Sequence, residues 1–283
     1  MPLSDFVRYI NAQHPVSFSG SPSASSFVSE EGKVSAYYAG LRLESVFLEV
    51  LDAVTGELQG HAASLVVSRA ETNMPLQPEV LYAQPRNDAE FIYLDRLVRT
   101  LHTLNHLTSI APRSRGTLLL GVHPRHVASV AADHGLAFEE ILQSCGLFPQ
   151  QITLEFEIDN QADTGFLVKA FGNYKSRGYG IAVSSLRANS AELAVLKEIQ
   201  PAIVKLDPRL LSSANDLKEY VDALHDLGAQ VMIEGLNSAL LRRTARENGI
   251  DLLQVFEPLR RLIHAQTLHP VAIPEPEQQV SVY

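Results

Sequence analysis

The segment Gly180–Asp207, "GIAVSSLRANSAELAVLKEIQPAIVKLD", decides how the chain is read. It divides into a short apolar run (Gly180–Leu186), a loop, a helical stretch capped by Ser190, and a second apolar run (Ala202–Asp207). Strand, helix, strand in this order predicts two neighbouring parallel strands. The two runs end differently. The first stops on Ser184 and Ser185, which are small and neutral, whereas the second carries Lys205 and Asp207. Strand ends in a repeated β/α protein face a shared site, so the difference bears on function as well as fold.

The same rhythm continues on both sides. Further strand-like runs are Val46–Ala53, Ala62–Arg69, Thr117–His123, Ile152–Ile158, Gln230–Leu236 and Leu252–Phe256. From the second run onward, a helix-length segment follows each. One is Ala89–Leu107, with Ile92, Val98, Leu101 and Leu104 at helical spacing; another opens at Ser238 and closes at Gly249. Eight such units in about 220 residues match the size of a (β/α)8 barrel. The first connection breaks the rule. "DAVTGELQG" is too short for a crossover helix, and Thr55-Gly56 forms a turn, so the first two strands are predicted to form an antiparallel hairpin. The expected fold is an α/β, TIM-like barrel with one reversed strand.

Residues 1–33 read as an N-terminal extension, with a short amphipathic helix over Ser4–Gln13 and a Ser-rich linker over Ser17–Phe27. Residues 34–272 form the barrel, and 273–283 a polar tail with two prolines. The 283 residues carry a net charge of −9. That gives no broad attraction to nucleic acid or anionic lipid, and the basic cluster in Leu241–Asn248 reads as a solvated helix face. The single cysteine, Cys145, rules out an intramolecular disulfide, fits a reducing compartment and reads as a small buried hydrophobe. The N-terminus lacks the pattern of a signal peptide, and no apolar run approaches the roughly 20 residues of a membrane span, so no membrane contact and a cytoplasmic location are expected.

The order of motifs resembles one family, the EAL domains, whose fold hydrolyses cyclic di-GMP. The likeness spans roughly residues 34 to 270. "LDAVTGELQGHAASLV" resembles the opening hairpin with its Glu-Ala-Leu signature and Arg. "TLLLGVHPRHV" is similar to the strand that ends in Asn. "GLFPQQITLEFEID" matches the Leu-Glu-Ile-Thr-Glu segment, "VSSL" the Asp-Asp-Phe-Gly position, "VKLD" the Lys-Ile-Asp position, "MIEGLN" the Ala-Glu-Gly-Val-Glu position and "LLQVFEP" the Gln-Gly-Tyr strand.

The departures from that pattern carry the functional message. The family holds two divalent metals at the strand ends, and these activate a water for attack on phosphorus. Here the signature Glu falls on Ala62, the Asn ligand on Gly121, and the paired aspartates on Ser184 and Ser185. The phosphate-gripping Arg falls on Val66. Other cleft positions fall on Leu48, Glu49, Ile158 and Asn237. Glu155, Lys205, Asp207, Glu234 and Gln254 match the family. The resemblance therefore implies a barrel that has lost its metal ligands and needs no cofactor. Its remaining charges, Glu155, Lys205, Asp207 and Glu234, are expected to neutralise one another. The implied role is bacterial regulation through a protein partner, with a homodimer as one form, and cyclic di-GMP is not the expected ligand. The alternatives are a receptor that binds cyclic di-GMP without cleaving it and an active phosphodiesterase.

Other constellations read as structural. His102 and His106 stand one helical turn apart, a spacing that suits zinc, but no third ligand is evident. His123 and His126 are expected on an exposed loop. Ser184 and Ser185 lack a nucleophile elbow and an identifiable base.

Overall fold

The computed structural model describes residues 7–8, 26–130, 134–158, 164–186, 188–213, 216–235 and 239–256. Most of the N-terminal extension, Asn237, Ser238 and everything after Phe256 lie outside these residues.

Eight strands close a barrel. They are β3 (Leu41–Asp52), β4 (Leu58–Arg69), β6 (Thr117–Val122), β7 (Ile152–Glu157), β8 (Gly180–Leu186), β9 (Ile203–Leu206), β10 (Gln230–Glu234) and β11 (Leu252–Phe256). Each of the eight runs expected from the sequence is present. The neighbours in order are β3, β11, β10, β9, β8, β7, β6 and β4, and a β3–β4 pairing completes the ring. β3 runs antiparallel to both β4 and β11, and the other pairings are parallel. The reversed first strand follows from its tight turn, where Asp52 accepts from the backbone N–H groups of Val54 and Thr55 and Gly56 takes a positive φ of 73°. Inside the ring, Val50, Ala62, Leu119, Ala182, Ile203, Met232 and Leu252 pack as one apolar layer.

The structure adds a wing that the sequence reading did not anticipate. β1 (Ser26–Glu30) and β2 (Lys33–Tyr38) pair antiparallel, and β2 joins the start of β3 through Ala36↔Leu43 and Tyr38↔Leu41. β1 thus occupies residues expected to belong to linker and extension. β3 begins five residues before the expected Val46 because Leu41 and Leu43 bury against this wing. The short β5 (Pro75–Leu76) lies on the other side of β4. Val34, Ala36 and Tyr38 alternate inward from β2 and are buried.

One long helix, Asp88–Ser109, packs against both the wing and the barrel. Asn87 caps it by accepting from the Glu90 N–H at 2.9 Å. Asn87 is not unusual in this: Asn189, rather than the expected Ser190, caps the helix Ser190–Ile199 in the same way. The long helix buries Leu94, Leu97, Leu101 and Leu104, and also a polar row of Asp95, Arg99, His102, Asn105 and His106. Asp95 and Arg99 form a fully buried ion pair at 2.7 Å, joined by His126 at 3.2 Å from the Asp95 carboxylate. Burial opposes the charge on Asp95, but the Arg99 guanidinium and the His123 backbone N–H help outweigh it and hold the carboxyl below its usual pKa. His126 is therefore a core residue and not part of an exposed loop. The helix Pro124–Ser129 begins immediately after β6 and turns His126 inward. Cys145 is a free, half-buried thiol whose pKa burial raises to about 12. Among the described residues, no helix is long and apolar enough to cross a membrane.

β4 and β6 touch over three residue pairs only, Gly60↔Thr117 to Ala62↔Leu119. A Cβ on Gly60 would lie 2.1 Å from the Thr117 carbonyl oxygen. We expect Gly60→Ala to cost about 3 kcal/mol, the upper end of overpacking, read as a lowered urea midpoint; an unchanged midpoint would show that the two strands part freely.

Buried histidines tie stability to pH. Burial lowers the pKa of His102 and of His106 to about 4, and that of His126 to about 3. In the unfolded chain these groups titrate near a pKa of about 6.5. Between those values the unfolded state takes up protons that the folded state refuses, so stability falls as pH drops from about 6.5 toward 4. The urea midpoint should fall over this range, and less steeply for His102→Gln. Equal slopes for the two proteins would contradict the assignment.

Candidate functional site

The carboxyl ends of the parallel strands gather at one mouth. Register places Gly121 of β6 beside Glu155 of β7, Glu157 beside Ser184 of β8, and Glu234 of β10 beside Gln254 of β11. At the centre stands Lys205 of β9. Its ammonium lies 3.0 Å from the Glu155 carboxylate and 2.8 Å from that of Glu234. Gln254 donates from Nε2 to the same Glu234 oxygen at 3.2 Å. The Lys205 side chain is 13% exposed. Burial alone would lower its pKa, but Glu155 and then Glu234 outweigh that and hold it above the usual lysine value. Lys205 is thus a permanent cation between two carboxylates.

Asp207 does not join this group. Its carboxylate accepts from the backbone N–H of Arg209 at 2.8 Å and forms an ion pair with the Arg209 guanidinium. Arg209 holds the Asp207 carboxyl below its usual pKa. The charge network expected from the sequence therefore contains Glu155, Lys205 and Glu234, with Gln254 in the place given to Asp207. A local partner two residues away competes successfully with a strand end across the mouth.

The other positions singled out by the sequence surround this network. Ala62 belongs to the apolar layer inside the barrel. Gly121 faces open space, since a Cβ there would meet no atom within 4 Å. Ser184 is buried, with its hydroxyl 3.4 Å from the Phe156 carbonyl oxygen. Between Val183 and Leu186 the β8–β9 register slips, so Ser184 and Ser185 lie in a bulge facing Lys205's strand. Bulges of this kind re-aim strand ends. Val66 lies further along β4, opposite Glu44, and is 38% exposed. Leu48 packs on the interior layer, while Glu49 projects to the opposite face of β3. Ile158 packs against the outer core.

Beyond Ala62↔Leu119, β4 and β6 separate, and a cleft of about 750 Å³ opens there. Its lining includes Ser64, Tyr82, His102, Gly121, His123, Glu155, Glu157 and Ser184. His123 packs against Tyr82 in a tilted arrangement and against Phe91 edge-on, with ring centroids 4.7 and 4.8 Å away. Sequence reasoning missed this cleft. Its floor comes from the long helix and its wall from a gap between strands, and neither leaves a local signature.

His102 and His106 do not converge on a common point. His102 bonds through Nδ1 to the Ser45 hydroxyl at 2.8 Å. The His106 ring packs between Phe47 and His61, with centroids 5.7 and 5.5 Å away. Among the described residues, no three His, Cys, Asp or Glu side chains are grouped as a metal centre needs.

The comparisons with known proteins agree with this geometry. The EAL domain family model matches residues 41–254. A search of curated proteins returned no match. Solved structures align over most of the chain. The Bacillus subtilis YkuI protein, with an EAL domain and in complex with cyclic di-GMP and calcium, superposes with a TM-score of 0.63 at 18% identity; the alignment covers 81% of this chain and 62% of YkuI. An EAL domain protein from Listeria monocytogenes gives a TM-score of 0.58 at 16% identity, covering 80% of this chain and 93% of that one. A standalone EAL protein from Vibrio cholerae, in its cyclic di-GMP-bound form, gives 0.60 at 18% identity, covering 75% and 89%. The chain thus spans less than two thirds of YkuI, and at these identities the structures share a fold. With its closed barrel, its one reversed strand and a family match across all eight barrel strands, the chain belongs to the EAL domain family.

Proposed function

We propose that this chain is a catalytically inactive EAL domain, a bacterial regulatory protein that acts by binding another protein. In this reading it neither hydrolyses cyclic di-GMP nor binds it tightly. The observation that carries the proposal is the engagement of Lys205 by both Glu155 and Glu234. A pair of divalent cations needs several hard oxygen ligands, mostly carboxylates. Ala62 and Gly121 have no ligand atom, and the Ser184 hydroxyl is neutral and directed to Phe156. The remaining carboxylates already hold a buried ammonium, which a metal would have to displace. The residues at the mouth therefore do not fit the two-metal centre.

Charge argues the same way for the nucleotide. A dianion entering the mouth would meet Glu155, Glu157 and Glu234 with one lysine among them, and Val66, at the position of the family's arginine, supplies no charge. What supports a protein-binding role is a folded barrel with its charges internally satisfied, in a family built for signalling. The partner is a second copy of this chain or another protein.

Two measurements test the reading. Calorimetric titration with cyclic di-GMP, in magnesium and again in calcium, should give no saturable heat at high micromolar ligand. Saturable binding would establish the receptor alternative, and appearance of a linear dinucleotide would establish the enzyme. Lys205→Met tests the network itself. Leaving two facing carboxylates without their cation should cost about 3 kcal/mol. Millimolar calcium should then raise the melting temperature of the variant and leave the wild type unchanged. A wild type stabilised by calcium would overturn the reading.

A further inference from the structure

The cleft between β4 and β6 has a chemistry of its own, and its deep end is set by a chain of hydrogen bonds. Asn105 pairs with the backbone of Val34 in both directions: the Val34 N–H donates to Oδ1 at 2.9 Å, and Nδ2 donates to the Val34 carbonyl at 2.8 Å. This double contact fixes which end of the Asn105 amide is nitrogen. Its second N–H is then directed to the Ser45 oxygen at 3.2 Å. The Ser45 hydroxyl and His102 Nδ1 lie 2.8 Å apart. With the Ser45 proton directed to Nδ1, the ring proton of a neutral His102 sits on Nε2.

His102 is 4% exposed and lines the cleft, and its Nε2 has no partner among the described residues. Nε2 is not among the fully enclosed polar atoms that lack a partner, so it reaches the cleft and is open to a ligand. Glu79 and Glu157 line the same cleft, no lysine or arginine among the described residues does, and Glu155 is already paired with Lys205. Arg125, which follows the lining residues His123 and Pro124, is paired with Asp88 and lies over the Phe91 ring. The floor thus offers an N–H donor and the glutamates offer negative charge.

We propose that this cleft binds an organic cation tethered to a hydrogen-bond acceptor, with His102 Nε2–H donating to the acceptor oxygen and Glu157 facing the cation. An amide-linked arginine or lysine is the simplest ligand of this class. The inference rests on the reading of the chain as a non-catalytic, partner-binding domain, and it names the kind of group a partner would insert. The same chemistry would be met by a free amine that carries a carbonyl or hydroxyl oxygen.

The test uses N-acetyl-arginine methylamide as the peptide-like probe, free arginine as the small-metabolite probe, and spermidine as a cation without an acceptor oxygen. N-acetyl-citrulline methylamide is the uncharged isostere. Calorimetry should show saturable binding of the arginine amide, at least tenfold weaker binding of citrulline amide and spermidine, and a similar tenfold loss in Glu157→Gln. Gly121→Leu should abolish binding, because its side chain would project into open cleft without disturbing the fold. Free arginine binding as tightly as the amide would identify a small metabolite as the source, within the same proposal. The ring nitrogen shifts of His102 in labelled protein should report protonated Nε2. The proposal is overturned if no cation binds saturably, if Gly121→Leu leaves binding intact, or if His102 carries its proton on Nδ1. Cyclic di-GMP binding would sink the functional reading regardless of these results, so the two failures are separable.

Discussion

Everything in this molecule depends on how β3 closes the ring. Its tight turn into β4 fixes its direction, and its other edge pairs with two different strands. β2 takes Leu41–Leu43 and β11 takes Leu48–Asp52. The edge of β3 away from β4 is thereby shared between two strands, with Glu44–Phe47 between them, and the barrel closes between its first and last strands. The same pairing sets the height of every strand relative to its neighbours. Glu155, Lys205, Glu234 and Gln254 meet at one mouth because register, not sequence proximity, puts them there.

Among the described residues, two clusters pair opposite charges within the fold. At the mouth, one ammonium serves two carboxylates; behind β6, Asp95, Arg99 and His126 form a buried set. Removing Lys205 or Arg99 leaves carboxylates without their cation, whereas the complete set contributes little net attraction for ligands. The long helix Asp88–Ser109 carries part of the second cluster and also His102, which reaches the cleft. The wing, the helix and the cleft are thus connected by the short run of bonds from Val34 to His102.

The barrel was legible in the sequence because its strands are short Val-, Ile- and Leu-rich runs separated by capped helices. The reversed first strand was legible because Thr55-Gly56 leaves no room for a crossover. The wing was hidden by its turns. Glu31-Gly32 and Ala39-Gly40 both adopt positive φ at each residue, a conformation usually signalled by Asn-Gly or Asp-Gly. Glu and Ala at the first position give no such signal. The buried polar row of the long helix was hidden for a different reason. Asp95 with Arg99, and His102 with His106, are spaced like solvated surface pairs, and only the packing of β2 on one side and β6 on the other turns them inward. The placement of Asp207 was recoverable in principle, since Arg209 lies two residues away and a charged neighbour that close competes with any distant partner. The mouth network was legible through the family resemblance, which brought Glu155, Lys205 and Glu234 together before any coordinates did.

The closure of β3 also constrains how the protein is made. Asp52 pairs with Leu252, 200 positions later in the chain. At roughly 5–20 residues per second of synthesis, a β3–β4 hairpin waits about 10–40 seconds before its partner strand exists. For that interval Leu48–Asp52 presents an unpaired edge flanked by apolar residues, the kind of surface that recruits other strands. The wing strand β2 is made before β3 and can cover only the first part of that edge. A barrel whose first strand is completed by its last must therefore be protected during synthesis, and crowding of nascent chains will lower its yield before any change in the finished structure is felt.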